Sequence, residues 1–372
     1  MSIITNRVKL NEKNIGVVFG TFAPLHSGHQ QEIYKAAALN DAVIIVVSGY
    51  KGDRGDEIGL DLNKRFRYLR EAFADEEKFR ITYINEDNIP RYPDGWKPWS
   101  TELLRVVNEK LTTENDHNIT VYVGEKEYTT KLNELMPKNW NSVLSERQDI
   151  PVSGTAIRND PVKYWNYINR VFRRHFTKKV LVVGSASTGK STLIRRLARS
   201  INAPFSEEYA RTYEEESNIT DEELTVNDYS HFIQGQFDAN YAELTSPSNQ
   251  GIVFFDTDAI VTKVYAKMYL PESDNKKLAA LFDDTISRED FDLIFVIPPI
   301  TKYVDDNFRA MEWADSRYDF HNNLMKELEF YGFNDRIVIL DDQGENDGFY
   351  ARYKHALTEI SKINRLETPK LN

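Results

Sequence analysis

GTFAPLHSGH, residues 20–29, follows the apolar run 15–19 and precedes a segment with helical periodicity; GSASTGKS, residues 184–191, follows KKVLVV and leads into STLIRRLA. A glycine-rich turn between a strand and a helix presents backbone N–H groups and a helix N-terminus to phosphate. The two stretches lie about 160 residues apart. The chain is therefore expected to hold two nucleotide sites and to run two ATP-dependent reactions.

Outward from these loops, short β-branched runs alternate with longer amphipathic segments, the pattern of parallel strands joined by crossover helices. Strands are predicted at 15–19, 43–48, 80–84, 119–123 and 142–144, and after a restart at 180–183, 252–255, 293–297 and 337–340. Helices of the second half are predicted near 190–200, 227–243, 313–329 and 348–363. The fold class is α/β, with two doubly wound parallel-sheet domains, Rossmann-like first and P-loop second. The basic stretch near 170–179 reads as a solvated connector, which sets the domains at 1–172 and 173–372.

Bulk composition agrees. At 372 residues and 41% hydrophobic, the chain can bury two ordinary cores. A net charge of −11 argues against nonspecific binding to the phosphate backbone of nucleic acid, which needs a dense basic surface. The absence of cysteine excludes disulfides, a thiolate nucleophile and thiolate zinc sites. No apolar run approaches a membrane span, and residues 1–10 lack the apolar core of a signal peptide, so a soluble, cytoplasmic protein is expected. Self-association cannot be read from the sequence.

In the first loop, Gly20 is read as the tight turn after the strand, and Pro24 stiffens the loop. His26 and His29, with Gly28 between them at the start of a helix, suit a phosphate. Gly20, Thr21, Phe22 and Gly28 are the ATP-binding backbone, and the histidines are the catalytic candidates. Further along, Gly49 and Arg54 in VSGYKGDRGD, and Gly124 with Glu125 in YVGEKEY, come after strands at the sheet edge where such folds bind ligands. Trp96 and Trp99 in YPDGWKPWS are placed on a Pro- and Gly-rich loop, where they either stack on a pyridinium ring or simply pack the loop.

The second loop matches GxxxxGK[ST] in full. Gly184, Ser185, Ala186, Ser187, Thr188 and Gly189 supply the cradle, Lys190 reaches the β- and γ-phosphates, Ser191 coordinates Mg²⁺ and Thr192 continues the helix start. Asp256, at the end of the apolar strand in GIVFFDTD, is the metal-facing acid, with Asp258 a candidate for the acceptor. In SEEYAR, Glu207, Glu208 and Arg211 are candidates to meet an acceptor hydroxyl, with Glu208 as general base. Arg309 and Arg317, in VDDNFRAMEWADSRYDF, are candidate lid arginines that steady the transferring phosphoryl group. Read singly, the acids serve equally well as caps or solvated charges.

These residues carry two resemblances. GTFAPLHSGH resembles the GxFxPxHxGH loop of the nucleotidyltransferase superfamily, with Ala23 where many members have Asp, and VSGTAIR at 152–158 resembles its ISSTxIR motif. The resemblance implies that His26 and His29 stabilise the α-phosphate. It also implies that Ser153 and Thr155 cap a phosphate-facing helix and that Arg158 offers a charge-assisted fork. Phosphopantetheine adenylyltransferases lack that arginine, whereas nicotinamide mononucleotide (NMN) adenylyltransferases keep it. EEYAR, FFDTD and the DDxxR spacing at 305–309 resemble the ribosylnicotinamide kinase domain of the NadR family, and FAPLHSGH, YPDGWKPW and VSGTAIR resemble its adenylyltransferase half.

The resemblance implies two successive ATP- and Mg²⁺-dependent steps. The second domain phosphorylates nicotinamide riboside to NMN, and the first adenylylates NMN to NAD with release of pyrophosphate. Some family members carry an extra DNA-binding helix-turn-helix. Only about fourteen residues precede the first strand here, so no nucleic-acid partner is expected. A coenzyme A synthase-like fusion and a nucleotide sensor without catalysis are the competing readings.

Overall fold

The computed structural model describes residues 5–113, 116–145, 150, 152–300, 314–344 and 348–363. The chain divides into two compact units, Met1–Phe176 and Thr177–Asn372. The division falls at the end of a helix, not inside it as the expected 172/173 boundary would have it.

The first unit alternates strands and helices: β1 (Asn14–Gly20), α1 (Ser27–Leu39), β2 (Ala42–Gly49), α2 (Leu62–Ala72), β3 (Phe79–Asn85), α3 (Trp96–Asn108), β4 (Asn118–Val123), α4 (Lys126–Leu135), β5 (Trp140–Leu144), α5 (Gly154–Asn159) and α6 (Arg170–Phe176). Its five strands run parallel in the order β3-β2-β1-β4-β5. The order reverses at β1, where crossovers leave to opposite faces and open a crevice at the carboxyl ends of the strands. All eight residues of β2, AVIIVVSG, are buried, because helices cover both faces. One core packs Ile33, Leu69 and Phe172 against Val43, Ile45 and Val47, and the other packs Leu103, Val107 and Leu132 against Ile15, Val17 and Ile44. Each such side chain contributes roughly 1.5–3 kcal/mol of burial.

The second unit comprises β6 (Lys178–Gly184), α7 (Lys190–Ile201), β7 (Phe205–Ser206), α8 (Tyr209–Ser217), α9 (Val226–Thr245), β8 (Ile252–Asp256), α10 (Ala259–Tyr269), α11 (Glu272–Arg288), β9 (Leu293–Ile297), α12 (Ala314–Phe330), β10 (Ile337–Ile339) and α13 (Phe349–Ile363). Its parallel sheet has the order β10-β9-β6-β8-β7. The glycine-rich loop thus leaves the central strand. β8 lies beside β6, with Val182 paired to Asp256, so Asp256 ends its strand at the same sheet edge as the loop.

Candidate active sites

In the first unit, β1 delivers the chain into a turn whose left-handed residue is Phe22, at φ 48°, not the glycine that ends the strand. A bulky residue is rare there, and such a conformation costs of order 1 kcal/mol. It persists because the Phe22 ring is buried against the His29 imidazole, with centroids 4.9 Å apart. The loop is also clamped by residues distant in sequence: Asn169 N–H donates to the Leu25 carbonyl at 3.0 Å, and Ser27 Oγ to the Tyr167 carbonyl at 3.2 Å. His26 caps α1, its Nδ1 accepting from Gly28 N–H at 3.2 Å, and stacks on His29 with centroids 3.8 Å apart.

The stacking has an electrostatic consequence. Burial, and then the nearby Arg158 guanidinium, pull the His26 pKa down to about 4. His29 is held well below the usual imidazole range by burial, His26 and Arg54, against a backbone contact from Pro24. Both rings are neutral at pH 7, so each carries one N–H and no net charge. The unfolded chain takes up a proton on each ring near 6.5, and the folded unit does so only at lower pH. Stability contributed by these groups is thus present above 6.5 and is lost as the pH falls toward 4, by at most about 1.4 kcal/mol per pH unit per proton. Ring resonances assigned with a His26→Gln variant are expected to place the His26 titration near pH 4; a midpoint at 6.5 would refute the burial argument.

Ser153 caps α5 by accepting from Ala156 N–H at 3.1 Å, whereas the Thr155 hydroxyl accepts from Arg158 at 3.0 Å and does not cap. Arg158 also donates to the Ala23 carbonyl at 2.8 Å, which joins the second motif to the first. A cleft of about 870 Å³ gathers Gly20, Thr21, Phe22, His26, Gly28 and His29 with Ser153, Thr155 and Arg158. Gly49, Arg54, Trp99, Gly124 and Glu125 line it too. Both tryptophans lie on α3, not on a loop. Trp99 is buried at the cleft wall beside Phe19, with centroids 4.8 Å apart. Trp96 packs on Tyr128, with centroids 4.7 Å apart, and is not among the lining residues.

Three residues here escaped the sequence reading. Glu86 Oε1 accepts from Trp99 Nε1 at 3.0 Å and from the Ser48 hydroxyl, which fixes the indole. Arg65, fully buried on α2, pairs with Asp53 at 2.7 Å and donates to the Thr21 carbonyl at 2.8 Å, bracing the loop from beneath. An arginine on the apolar stripe of α2 was the available signal for that brace. No comparable sequence signal marks Ser48 or Glu86.

In the second unit, the loop leaves β6 through Gly184, where a Cβ would stand 2.6 Å from the Ile297 carbonyl oxygen. Gly189, at φ 85°, precedes α7. Lys190, buried at the start of α7, donates to the Ser185 carbonyl at 3.1 Å, and Thr188 Oγ1 donates to the same oxygen at 2.9 Å. Arg352 of α13 donates to the Thr188 carbonyl at 3.1 Å, a brace also absent from the sequence reading. Ser191 is half-buried and Thr192 exposed. Asp256 is buried at the sheet edge that bears the loop, an arrangement in which it and the Ser191 hydroxyl suit a hard cation that shares phosphate oxygens. Among the described residues no cluster of three or more His, Cys, Asp or Glu would hold a metal on its own.

The two acids beyond β7 part company. Glu207 is exposed and pairs with Arg195 at 2.8 Å, a solvated surface contact worth little. Glu208 precedes α8 and lines a cleft with Thr257, a non-glycine residue at φ 81° that comes directly after Asp256. A buried amide relay sets both positions. Gln236 accepts from Tyr209 N–H at 2.8 Å and donates to Asn240 at 3.0 Å, and Asn240 donates to the Thr257 carbonyl at 3.3 Å. Asp258 departs from its expected role: it is fully buried, caps α10 by accepting from Val261 N–H at 3.1 Å, and burial pushes its carboxyl up to about 7. Arg211 lies on α8, half-buried and outside the cleft lining, and Arg317 is buried on α12. Arg309 lies outside the described residues.

α8 and α9 meet so closely that a Cβ on Gly235 would stand 2.1 Å from the Tyr209 ring. Gly235→Ala is expected to destabilise the second unit by about 1–3 kcal/mol and to displace Glu208. Thermal unfolding together with phosphotransfer rates would reveal this; an unshifted midpoint with full activity would contradict it.

A glycine-rich phosphate loop opposite a strand-end acid, and a stacked histidine pair facing an arginine, define a chain with ATP-dependent kinase and nucleotidyltransferase centres. The AAA domain model matches residues 179–345. The trifunctional NAD biosynthesis/regulator protein NadR of Salmonella typhimurium is 30% identical over 359 residues, covering 94% of this chain and 84% of that protein. A NadR crystal structure in complex with NR is 54% identical, with a TM-score of 0.89 over 98% of this chain and 100% of that one. Another, in complex with NAD and AMP-PNP, is 53% identical, with a TM-score of 0.85 over 98% and 99%. The chain belongs to the NadR family. Among the described residues, no helix is long and apolar enough to cross a membrane.

Proposed function

We propose that the chain makes NAD from nicotinamide riboside in two steps, with Thr177–Asn372 as the riboside kinase and Met1–Phe176 as the NMN adenylyltransferase. The observation that carries this is the assembly, within one cleft of the first unit, of His26, His29 and Arg158 with Trp99. Phosphate donors and an aromatic wall thereby face one space. Relatives bound to NR, NAD and AMP-PNP support the same substrates.

In the kinase step the riboside 5′-hydroxyl oxygen bonds to the γ-phosphorus of ATP, the bond to the β-bridging oxygen breaks, and ADP leaves. Glu208 takes the hydroxyl proton, and Lys190 offsets charge on the β- and γ-phosphates. In the adenylyl step a 5′-phosphate oxygen of NMN bonds to the α-phosphorus of a second ATP, and pyrophosphate leaves. The neutral imidazoles of His26 and His29 donate to the α-phosphate oxygens, and Arg158 supplies the positive charge. Trp99, held by Glu86, gives the pyridinium a face. Mg²⁺ accompanying ATP would be held in the second unit by Ser191 and Asp256, where it neutralises phosphate charge. Action in the cytoplasm, without nucleic acid, completes the reading.

Chromatography of each half-reaction tests it. NMN from nicotinamide riboside and NAD from NMN, each with ATP, are the expected products. Turnover of phosphopantetheine in place of NMN would replace the reading with a coenzyme A one. Nucleotide binding without either product would make the chain a sensor.

A further inference from the structure

β7 pairs with β8 at only two positions, Phe205 with Phe254 and Ser206 with Phe255, whereas β8 pairs with β6 over all five of its residues and ends at Asp256. The backbone ladder therefore fixes Asp256 but stops short of Glu208, which stands two residues beyond the end of β7. Three buried polar side chains, Ser206, Gln236 and Asn240, span that gap. Gln236 of α9 holds both peptide groups that flank Glu208. Its Oε1 accepts from Tyr209 N–H at 2.8 Å, and its Nε2 donates to the Glu207 carbonyl at 3.2 Å and to Asn240 Oδ1 at 3.0 Å. Asn240, one turn further along α9, accepts from the Ser206 hydroxyl at 2.6 Å and donates to the Thr257 carbonyl at 3.3 Å. Two buried amides thus connect the residue after Asp256 to both sides of Glu208.

We infer that Asn240, acting through Gln236, is a positioning residue of the phosphotransfer step: it holds the proton acceptor Glu208 in a fixed relation to Asp256. The inference rests on the reading of this unit as a riboside kinase with Glu208 as its base. A primary amide suits the task because it donates and accepts at once, so one side chain ties two backbone segments together. Burial removes the competition of water and makes an unmade bond costly, which narrows the range of positions that Glu208 can take. Proton transfer needs the heavy atoms within hydrogen-bond reach, and a misplacement of about 1 Å costs on the order of 100-fold in rate. Because β8 is anchored along its whole length, cutting the relay displaces Glu208 and leaves Asp256 in place.

The test uses the full chain with ATP, Mg²⁺ and nicotinamide riboside, and reads kcat in a double-variant cycle. Asn240→Ala is expected to lower kcat by about 10- to 100-fold, with KM for ATP within about threefold of its original value and NMN adenylylation little changed. Glu208→Gln is expected to lower kcat by about 100-fold or more. Adding Asn240→Ala to the Glu208→Gln chain is expected to cost less than about threefold further, because the group that Asn240 positions has already lost its function. A purely structural role would multiply the two losses, and that result in folded chains would overturn the inference; so would undiminished kcat in Asn240→Ala. Gln236→Met keeps the side-chain bulk, cuts the relay at its other link and is expected to show the same coupling to Glu208→Gln, so the cycle remains decisive if Asn240→Ala fails to fold. Undiminished kcat in Glu208→Gln would overturn the inference together with the role of Glu208, leaving the kinase reading intact. A wild-type chain that leaves nicotinamide riboside unphosphorylated would sink the kinase reading as well.

Discussion

Lys190→Ala is expected to lower phosphorylation of nicotinamide riboside by about a thousandfold or more while NMN adenylylation changes less than about twofold. The ammonium is buried at the first residue of α7, directly after the loop that cradles phosphate, and its position is set by the Ser185 carbonyl at 3.1 Å. Charge delivered at that point is most valuable where negative charge builds on the transferring phosphoryl group, and alanine leaves nothing of comparable reach. Lys190→Met retains most of the side-chain volume and is expected to lose as much activity, which separates charge from packing. Parallel loss of both half-reactions in a folded variant would mean that the two centres are not independent.

His29→Ala is expected to show the reverse pattern: NAD formation from NMN falls by about a hundred- to a thousandfold, and riboside phosphorylation persists. Here part of the loss has a structural source. The imidazole packs between Phe22 and His26, at centroid distances of 4.9 and 3.8 Å, and Phe22 holds a left-handed conformation that the packing sustains. Removing the ring would cost stability in the first unit and would let the loop relax. His29→Gln, which restores a donor and some bulk, is expected to recover stability more than activity. Assaying both half-reactions and the unfolding midpoint on each variant tests this; a His29→Ala enzyme with undiminished adenylylation would remove the histidine pair from the mechanism.

What the amino-acid order makes legible is whatever is local. A phosphate cradle needs contiguous backbone, so GTFAPLHSGH and GSASTGKS could be recognised as such, and VSGTAIR likewise as a capped helix start. Central parallel strands are buried on both faces, so they appear as uninterrupted apolar runs such as AVIIVVSG and IVFFD. The tryptophans were harder: WKPW comes after Pro and Gly, a composition typical of loops, yet it opens α3, whose later residues Leu103, Val106 and Val107 pack on the sheet and pull the helix start with them. Asp258 and Glu207 were also ambiguous locally. A strand-end acid caps, ligates or solvates, and only its neighbours decide among these.

The sequence alone therefore determined that there are two α/β units and two phosphate loops, and the resemblance that its motifs carry implied the class of acceptor each loop serves. Tertiary structure decided which of two adjacent glutamates enters a cleft, which tryptophan walls a site, and that Asp258 caps a helix. It also supplied the braces: Arg65 under Thr21, Glu86 on Trp99, Arg352 on Thr188, and the Gln236–Asn240 relay. Each of these except the relay joins residues separated by many turns of chain, and the relay acts only through the strand ends it ties together. Such contacts arise from how helices pack onto a twisted sheet, and that geometry is a property of the whole fold and of no single segment.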